Sequence, residues 1–354
     1  MRFFLLYMYC ILKSILYICN NNHPTSGEPT PKRIPDHEEP PTMNPLSSNT
    51  LFGNWATLLL ATNDRGQIDY SLQEAEIDQL IASRPNGIYS NGTACEFYTQ
   101  TREEFVRLSQ LLAEKCGKAG IPYQIGVSHP CAQESLERLR LIRELRPGAV
   151  QVILPDWFPV NDREGVRFLE TMAETADGIP LVLYNPPHAK RQLTPADWAR
   201  FKTHVPALIG VKTSDHDSSP AWYAEVRQHA AGLAVFVPGH HLATGLRYGA
   251  AGAYSNVACL NPFAAQRWYE LAVADPEKGL EMEQRIRLFM SRCIDPFITE
   301  MHYPNHACDR FMALVGGWAD VGARLRWPYD SIPVSYVEPV RRQGQTILPE
   351  FFNR

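Results

Sequence analysis

Eight short apolar runs, separated by amphipathic helical stretches, predict an α/β fold: a (β/α)8 TIM barrel with a C-terminal helical extension. Two observations carry this expectation. Each run is apolar nearly throughout instead of alternating, the pattern of strands buried on both faces of a parallel sheet. The β-then-α units recur along about 220 residues, a length that suits one such barrel. A doubly wound open sheet is the competing architecture. It would need a ligand crevice where the strand order reverses, and no Gly-rich phosphate loop follows the first run.

The runs fall at residues 54–61 (NWATLLLA), 87–91 (GIYSN), 122–127 (PYQIGV) and 149–155 (AVQVILP). They continue at 180–185 (PLVLYN), 208–213 (LIGVKT), 234–239 (AVFVPG) and 253–258 (AYSNVA). Between them, stretches such as 70–83, 102–118 and 132–145 place Leu and Ile at helical spacing with charges between. Thr194-Pro195 reads as an N-cap followed by a first-turn proline. Residues 262–317 carry more helical periodicity than a barrel requires, and the Pro-punctuated stretch from Trp327 suits a surface wrap. The expected division is a tail at 1–50, the barrel at 51–262 and the extension with its wrapping tail at 263–354.

The first 50 residues do not match the rest. Residues 3–19 are apolar but interrupted by Lys13 and Ser14, short for a membrane span and without a clear small-residue cleavage site. Residues 20–50 are polar and Pro-rich, as disordered linkers are. A signal or anchor, a mobile tail, and upstream sequence ahead of a natural start at Met43 all remain open; Met43 is favoured because its segment flows directly into the first strand. The 34 basic and 38 acidic residues give a net charge of −4. No basic run interleaved with aromatics occurs, so nucleic acid is not an expected partner, and no membrane association is expected either. The cysteines (10, 19, 95, 116, 131, 259, 293 and 308) are scattered without a C-x-x-C, which favours reduced thiols and a cytoplasmic setting.

Catalytic groups of such barrels project from the C-terminal ends of the strands. Lys212 ends the sixth run, where burial would lower its pKa and leave a neutral amine able to attack a keto carbon. Tyr184 ends the fifth run and could shuttle protons to and from the imine. The Gly92-Thr93-Ala94-Cys95-Glu96 turn follows the second run; Thr93 and its turn amides are donors suited to a carboxylate. His129, after the third run, is expected at the same mouth. This set calls for no metal and no cofactor. Each residue also has a plain structural explanation: an ion-paired lysine, a packed tyrosine, an ordinary helix start. Their joint placement in one barrel weighs against those explanations. His240-His241 are adjacent and point apart, and Pro304 interrupts the His302–His306 pair, so a metal site is not expected.

With these pieces in place, the chain resembles the dihydrodipicolinate synthase / N-acetylneuraminate lyase superfamily of pyruvate-dependent class I aldolases. The resemblance rests on GTACE at 92–96, YNPP at 184–187, GVKTSD at 210–215 and GAAGAYSNVACLNP at 249–262, in family order. YN-x-P followed by G-V-K, with Tyr184 and Lys212 separated by 28 positions, is the most specific part. The resemblance implies a Schiff-base lysine at Lys212, a proton-relay tyrosine at Tyr184, carboxylate recognition by Thr93 and Ala94, and a homotetramer built of dimers. Tyr254, within the last segment, joins the expected substrate contacts.

The departures bear on the substrate. Where the family usually has G-[ST]-T-G-E, Ala94 and Cys95 stand, so one carboxylate-binding hydroxyl is missing. The lysine-pathway synthases carry P-Y-Y after strand four, and here Trp157 follows Pro155-Asp156, adding apolar bulk at the expected mouth. The arginine that those synthases use for a second carboxylate has no clear counterpart in His188-Ala189-Lys190-Arg191. The expected activity is therefore a Schiff-base lyase, aldolase or dehydratase acting on pyruvate or a related 2-oxo acid. The alternatives are 4-hydroxy-tetrahydrodipicolinate synthase itself and a non-catalytic barrel that binds a keto acid.

Overall fold

The computed structural model describes residues 43–214 and 218–353. Eight parallel strands close into a barrel in chain order. They are β1 (Gly53–Thr57), β2 (Gly87–Ser90), β3 (Tyr123–Gly126), β4 (Ala149–Val152), β5 (Leu181–Tyr184), β6 (Leu208–Lys212), β7 (Ala234–Pro238) and β8 (Gly252–Ser255). Helices α1 (Tyr70–Ala82), α2 (Arg102–Ala119), α3 (Ala132–Ile142), α4 (Asp162–Ala176), α5 (Pro195–His204), α6 (Pro220–His229) and α7 (Leu242–Arg247) lie between successive strands. After β8 come α8 (Val257–Leu260), α9 (Pro262–Ala274), α10 (Pro276–Phe289), α11 (Asp295–Thr299), α12 (Asn305–Gly316) and α13 (Val337–Ile347). The barrel and the C-terminal helical part are thus as the sequence predicts. The expectations for the tail ahead of Met43 lie outside the described residues.

Local signals set the helix starts. Thr194 caps α5, its hydroxyl accepting from the Asp197 N–H while Asp197 reaches back, with Pro195 in the first turn. Thr101 and Glu104 form the same box at α2. Strand ends were harder to place from sequence. The run 54–61 is buried throughout, yet the strand stops at Thr57. Beyond it the backbone leaves the ladder and finds side-chain acceptors: Glu76 Oε1 takes the Leu59 N–H at 2.7 Å and Gln73 Oε1 the Ala61 N–H at 2.9 Å. Apolarity reports burial, which such a segment shares with a strand.

The core has two layers. Inside the barrel, Leu51, Trp55, Tyr89, Val182, Phe236 and Tyr254 pack together; a larger shell lies between the strands and the helices. Alternation along each strand produces the split, as where Ile88 faces the helices and Tyr89 the interior. Gly87 is required beside Trp55, because a Cβ there would lie 2.5 Å from the indole ring. The lower end is closed by Leu46 and Leu51, with the Leu46 N–H bonded to the Gly148 carbonyl at 2.9 Å.

The extension is fastened to the upper, C-terminal end. Buried Arg310 on α12 pairs with buried Glu96 at 2.7 Å and also donates to the carbonyls of Leu60 and Val321. Glu96 Oε2 accepts the Arg326 N–H at 2.9 Å. One ion pair thereby ties the turn after β2 to helix α12 and brings α12 over the barrel mouth. Among the described residues no helix is long and apolar enough to cross a membrane.

Candidate functional site

Register carries two side chains to the mouth together. In the β5–β6 ladder Tyr184 is the partner of Lys212, each the last residue of its strand. Both are half-buried, open to a cavity of about 190 Å³ that they line with Thr93, Ala94, Tyr89 and Tyr254. The Lys212 amine donates to the Tyr89 hydroxyl at 3.1 Å. It lies 4.2 Å from the centre of the Tyr184 ring, 4.6 Å from that of Tyr89 and 5.3 Å from that of Tyr254.

Burial pushes the Lys212 pKa down to about 8, against the opposing pull of Asp309. About half of such amines are neutral at pH 8 and roughly a tenth at pH 7, far more than for a free lysine, and the neutral form is the one that attacks a carbonyl carbon. Burial pushes Tyr184 the other way, up to about 12, partly offset by a hydrogen bond with Thr93. Tyr184 is therefore protonated near neutral pH and stands ready to donate. Tyr89 and Tyr254 are also driven upward by burial, and the Tyr254 hydroxyl donates to Gln124 at 2.7 Å. Arranged this way, the site offers one nucleophilic nitrogen surrounded by tyrosines that stay neutral near pH 7.

The Thr93–Cys95 turn forms one wall. Its first N–H groups precede the point where helical acceptors begin, and a turn of this kind presents them as preorganised anion donors. Glu96, at φ 49°, closes the turn in the left-handed region. That conformation is uncommon for a residue with a Cβ, and the buried pair with Arg310 holds it.

Thr93, Ala94, Tyr184, Lys212 and Tyr254 thus meet in one cavity. His129 and Trp157 do not line it, which corrects their expected place at the mouth. His129 turns back on its own loop, where its Nδ1 accepts the Cys131 N–H at 3.0 Å. Trp157 sits on the outer surface with 79% of its area exposed, and Phe158 beside it is 81% exposed. Lys190 holds it there, donating to the Trp157 carbonyl at 2.8 Å and lying 5.0 Å from the ring centre. A larger open groove runs outside the barrel along residues 159–163 and 190–192, and there Arg191 is paired with Asp162 and Asp197.

Three groups were missed from sequence. Tyr89 read as one more apolar strand residue. His240, with Nδ1 3.0 Å from Asn256 Nδ2, lines the cavity from beyond β7. Asp309 enters from α12; burial pushes its carboxyl up to about 7, partly countered by Lys212. A signal existed for Asp309: Asp309-Arg310 is a charged pair inside the run Ala307–Ala313, every member of which is buried. His306 on the same helix is packed between the rings of Tyr98 and Tyr329.

Comparisons with known proteins bear on the family and the fold. Among curated relatives, a 4-hydroxy-tetrahydrodipicolinate synthase of Acidovorax sp. (strain JS42) is 24% identical over 243 residues, 68% of this chain and 80% of the relative. A protein of the same name from Thermus thermophilus is 26% identical over 154 residues, 43% of this chain and 51% of the relative. Among solved structures, a prophage protein of the dihydrodipicolinic acid synthase family from E. coli K12, in complex with pyruvate, superposes with a TM-score of 0.74 at 20% identity. That superposition covers 84% of this chain and 98% of the other. The wild-type sialic acid aldolase of Ruminococcus gnavus gives a TM-score of 0.71 at 18% identity, covering 85% and 98%. At such identities the structures establish the fold. The model of one family, described as the dihydrodipicolinate synthetase family, matches residues 51–304, and with that span of a 354-residue chain the protein belongs to this family, whose members are lyases or aldolases.

Proposed function

We propose that the protein is a Schiff-base-forming lyase or aldolase acting on pyruvate or a related 2-oxo acid. The observation that carries this is the buried Lys212 amine, with its pKa lowered to about 8, set in register beside Tyr184. Among the structural neighbours, the sialic acid aldolase of Ruminococcus gnavus has been solved as a catalytic lysine mutant and the E. coli protein with pyruvate, which supports the same reading.

In this mechanism the 2-oxo acid carboxylate rests on the N–H groups of Thr93 and Ala94, which brings the keto carbon to Lys212. The nitrogen adds, Tyr184 delivers a proton to the departing oxygen, and water leaves. The iminium then accepts the electron pair of the bond broken next to the former keto carbon, and a proton returned to that carbon precedes hydrolysis. Incubation with pyruvate and borohydride, digestion and mass spectrometry test the assignment. The expected adduct is on Lys212; attachment to another lysine, or to none with any 2-oxo acid, overturns it.

The curated relatives named above are 4-hydroxy-tetrahydrodipicolinate synthases by name, and that activity is the second reading. Against it stands the cavity itself: among its described residues Lys212 is the one cation, and Asp309 brings an acidic group. A second substrate carboxylate would be left unpaired in a desolvated site, which is costly. We therefore place a hydroxylated or aromatic partner ahead of aspartate semialdehyde. The check is kcat/KM for pyruvate with the semialdehyde against a panel of sugar-acid and aromatic 2-oxo acids. A wide margin for the semialdehyde restores the synthase reading. Retained pyruvate binding without turnover of any partner would instead point to a keto-acid-binding barrel.

A further inference from the structure

We propose that the Asp309 carboxylate is the base of the carbon-centred steps: it takes a proton from C3 of the pyruvate-derived iminium to give the enamine, and returns one there before hydrolysis. The proposal rests on the imine reading above and adds to it a catalytic residue from the C-terminal extension. Asp309 lines the same cavity as Lys212, and it is the one carboxyl among the residues described there. The side chain is buried, and among the described residues its one hydrogen bond is long, from Asn305 Nδ2 to Oδ2 at 3.4 Å. Its other oxygen, Oδ1, has no donor among those residues. Neighbouring Arg310 does not engage it, because that guanidinium is turned to Glu96. The same ion pair fixes α12 over the mouth, so the carboxylate is carried by an anchored helix and not by a loop. In a cavity of about 190 Å³, a small 2-oxo acid bonded to Lys212 has this oxygen as a near neighbour.

The other groups around the amine are poor proton acceptors. Burial raises Tyr89, Tyr184 and Tyr254, so they are protonated near neutrality and donate. Cys259, which interacts electrostatically with Lys212, is raised as well and stays a thiol. His240 lines the cavity from beyond β7, beside Asn256, and is the competing base that the experiment must separate. Burial lifts Asp309 to about 7 while Lys212 pulls it back, so at pH 7.5 the carboxylate form predominates. It is a stronger base than a solvent-exposed carboxylate, as proton abstraction near neutral pH requires.

Atoms and electrons balance without a co-reactant. With pyruvate, a C3–H bond breaks and its electron pair becomes the C2–C3 double bond. The C2–N π pair moves onto nitrogen, leaving a neutral enamine, and the proton goes to Asp309. With a 4-hydroxy-2-oxo acid, the carboxylate takes the C4 hydroxyl proton as the C3–C4 bond breaks and the aldehyde departs. That proton then returns to C3, restoring the iminium for hydrolysis, and Asp309 ends the turnover ionised as it began. Tyr184 keeps its separate task at the oxygen of C2.

Pyruvate alone tests this, because exchange of its methyl protons needs the C3 step and no aldehyde. Proton NMR in deuterated water near neutrality should show the wild-type protein exchanging the methyl group. Asp309→Asn, with unchanged circular dichroism, should exchange about 10²–10⁴-fold more slowly, the scale of a lost general base. Borohydride should still trap pyruvate on Lys212 in that variant, and Asp309→Glu should recover part of the exchange. Exchange in Asp309→Asn within about threefold of wild type overturns the proposal and passes the C3 proton to His240 or water. Loss of trapping in Asp309→Asn also overturns it, by placing the carboxylate's role at the amine. So does a wild-type protein that traps pyruvate without exchanging its methyl group. Absence of a trapped Lys212 adduct in wild type is a separate outcome, and it sinks the imine reading first.

Discussion

Asp309 and Arg310 are consecutive residues of one buried helix, and they live in opposite electrostatic worlds. Arg310 meets Glu96 at 2.7 Å, and its two terminal nitrogens also donate to Thr62 and to the carbonyls of Leu60, Val321 and Gly322, while its Nε has no partner among the described residues. Asp309 meets a cavity, a lysine with which it makes no direct ion pair, and one long hydrogen bond. Compensated burial builds; uncompensated burial stores reactivity. A buried pair whose two charges meet and whose terminal nitrogens and carboxylate oxygens are hydrogen-bonded fixes geometry, here the turn at 93–95 and the seat of α12. A buried group left short of partners keeps a displaced pKa, and displaced pKa values gather where chemistry is done.

The contrast can be broken first at Lys212. Lys212→Ala removes the nucleophile, and turnover of any 2-oxo acid should drop to background with no trapped adduct. The Tm should hold or rise, because a buried amine with a lowered pKa detracts from stability as pH falls through about 8. Activity comparable to wild type, assayed with the best substrate found, would remove the basis of the site. Next in size is Tyr184→Phe, expected to lower kcat by about 10²–10⁴-fold, the scale of a lost general acid–base. Its fold should be intact, since the lost hydroxyl meets Thr93 and no core group. A kcat within threefold of wild type would pass the proton to another group or to water.

The compensated side is probed by Glu96→Gln and Arg310→Met. Each leaves half of a buried pair behind and should cost about 3–5 kcal/mol of stability, read as a lowered denaturation midpoint. Changes below about 1 kcal/mol would mean that the pair does not anchor α12. The smallest expected effect has the opposite sign. The Asp309 carboxyl is raised from 3.8 to about 7, so the folded state holds its proton longer than the unfolded chain does. Stability from this group is therefore complete at low pH and is lost as pH rises through about 7. Asp309→Asn should raise the Tm by a few degrees at pH 8 and hardly at all at pH 4. A lowered Tm at pH 8 would place Asp309 with Arg310, as a structural group.

Much of the architecture was legible because it is written locally. A strand buried on both faces must be apolar throughout, and runs such as 181–184 and 208–212 say so wherever they stand. Helix starts such as Thr194-Pro195 announce themselves within four residues. Lys212 was conspicuous for the same reason, as a charge ending an apolar run. Trp157 and His129 failed because loop direction is not local: β4 and β3 lead toward the mouth, but Lys190 and Cys131 hold the two rings away from it.

By itself, then, the sequence determined the barrel, the order of its units and the residues that end strands five and six, since burial and spacing alone dictate them. The tertiary structure decided what surrounds the lysine. Tyr89 reaches Lys212 across 123 positions of chain, and Arg310 reaches Glu96 across 214. No periodicity encodes such contacts. They exist because barrel closure sets β2 opposite β6 and because one ion pair seats α12 above both, which is how an aspartate from the far end of the chain comes to share a cavity with the amine.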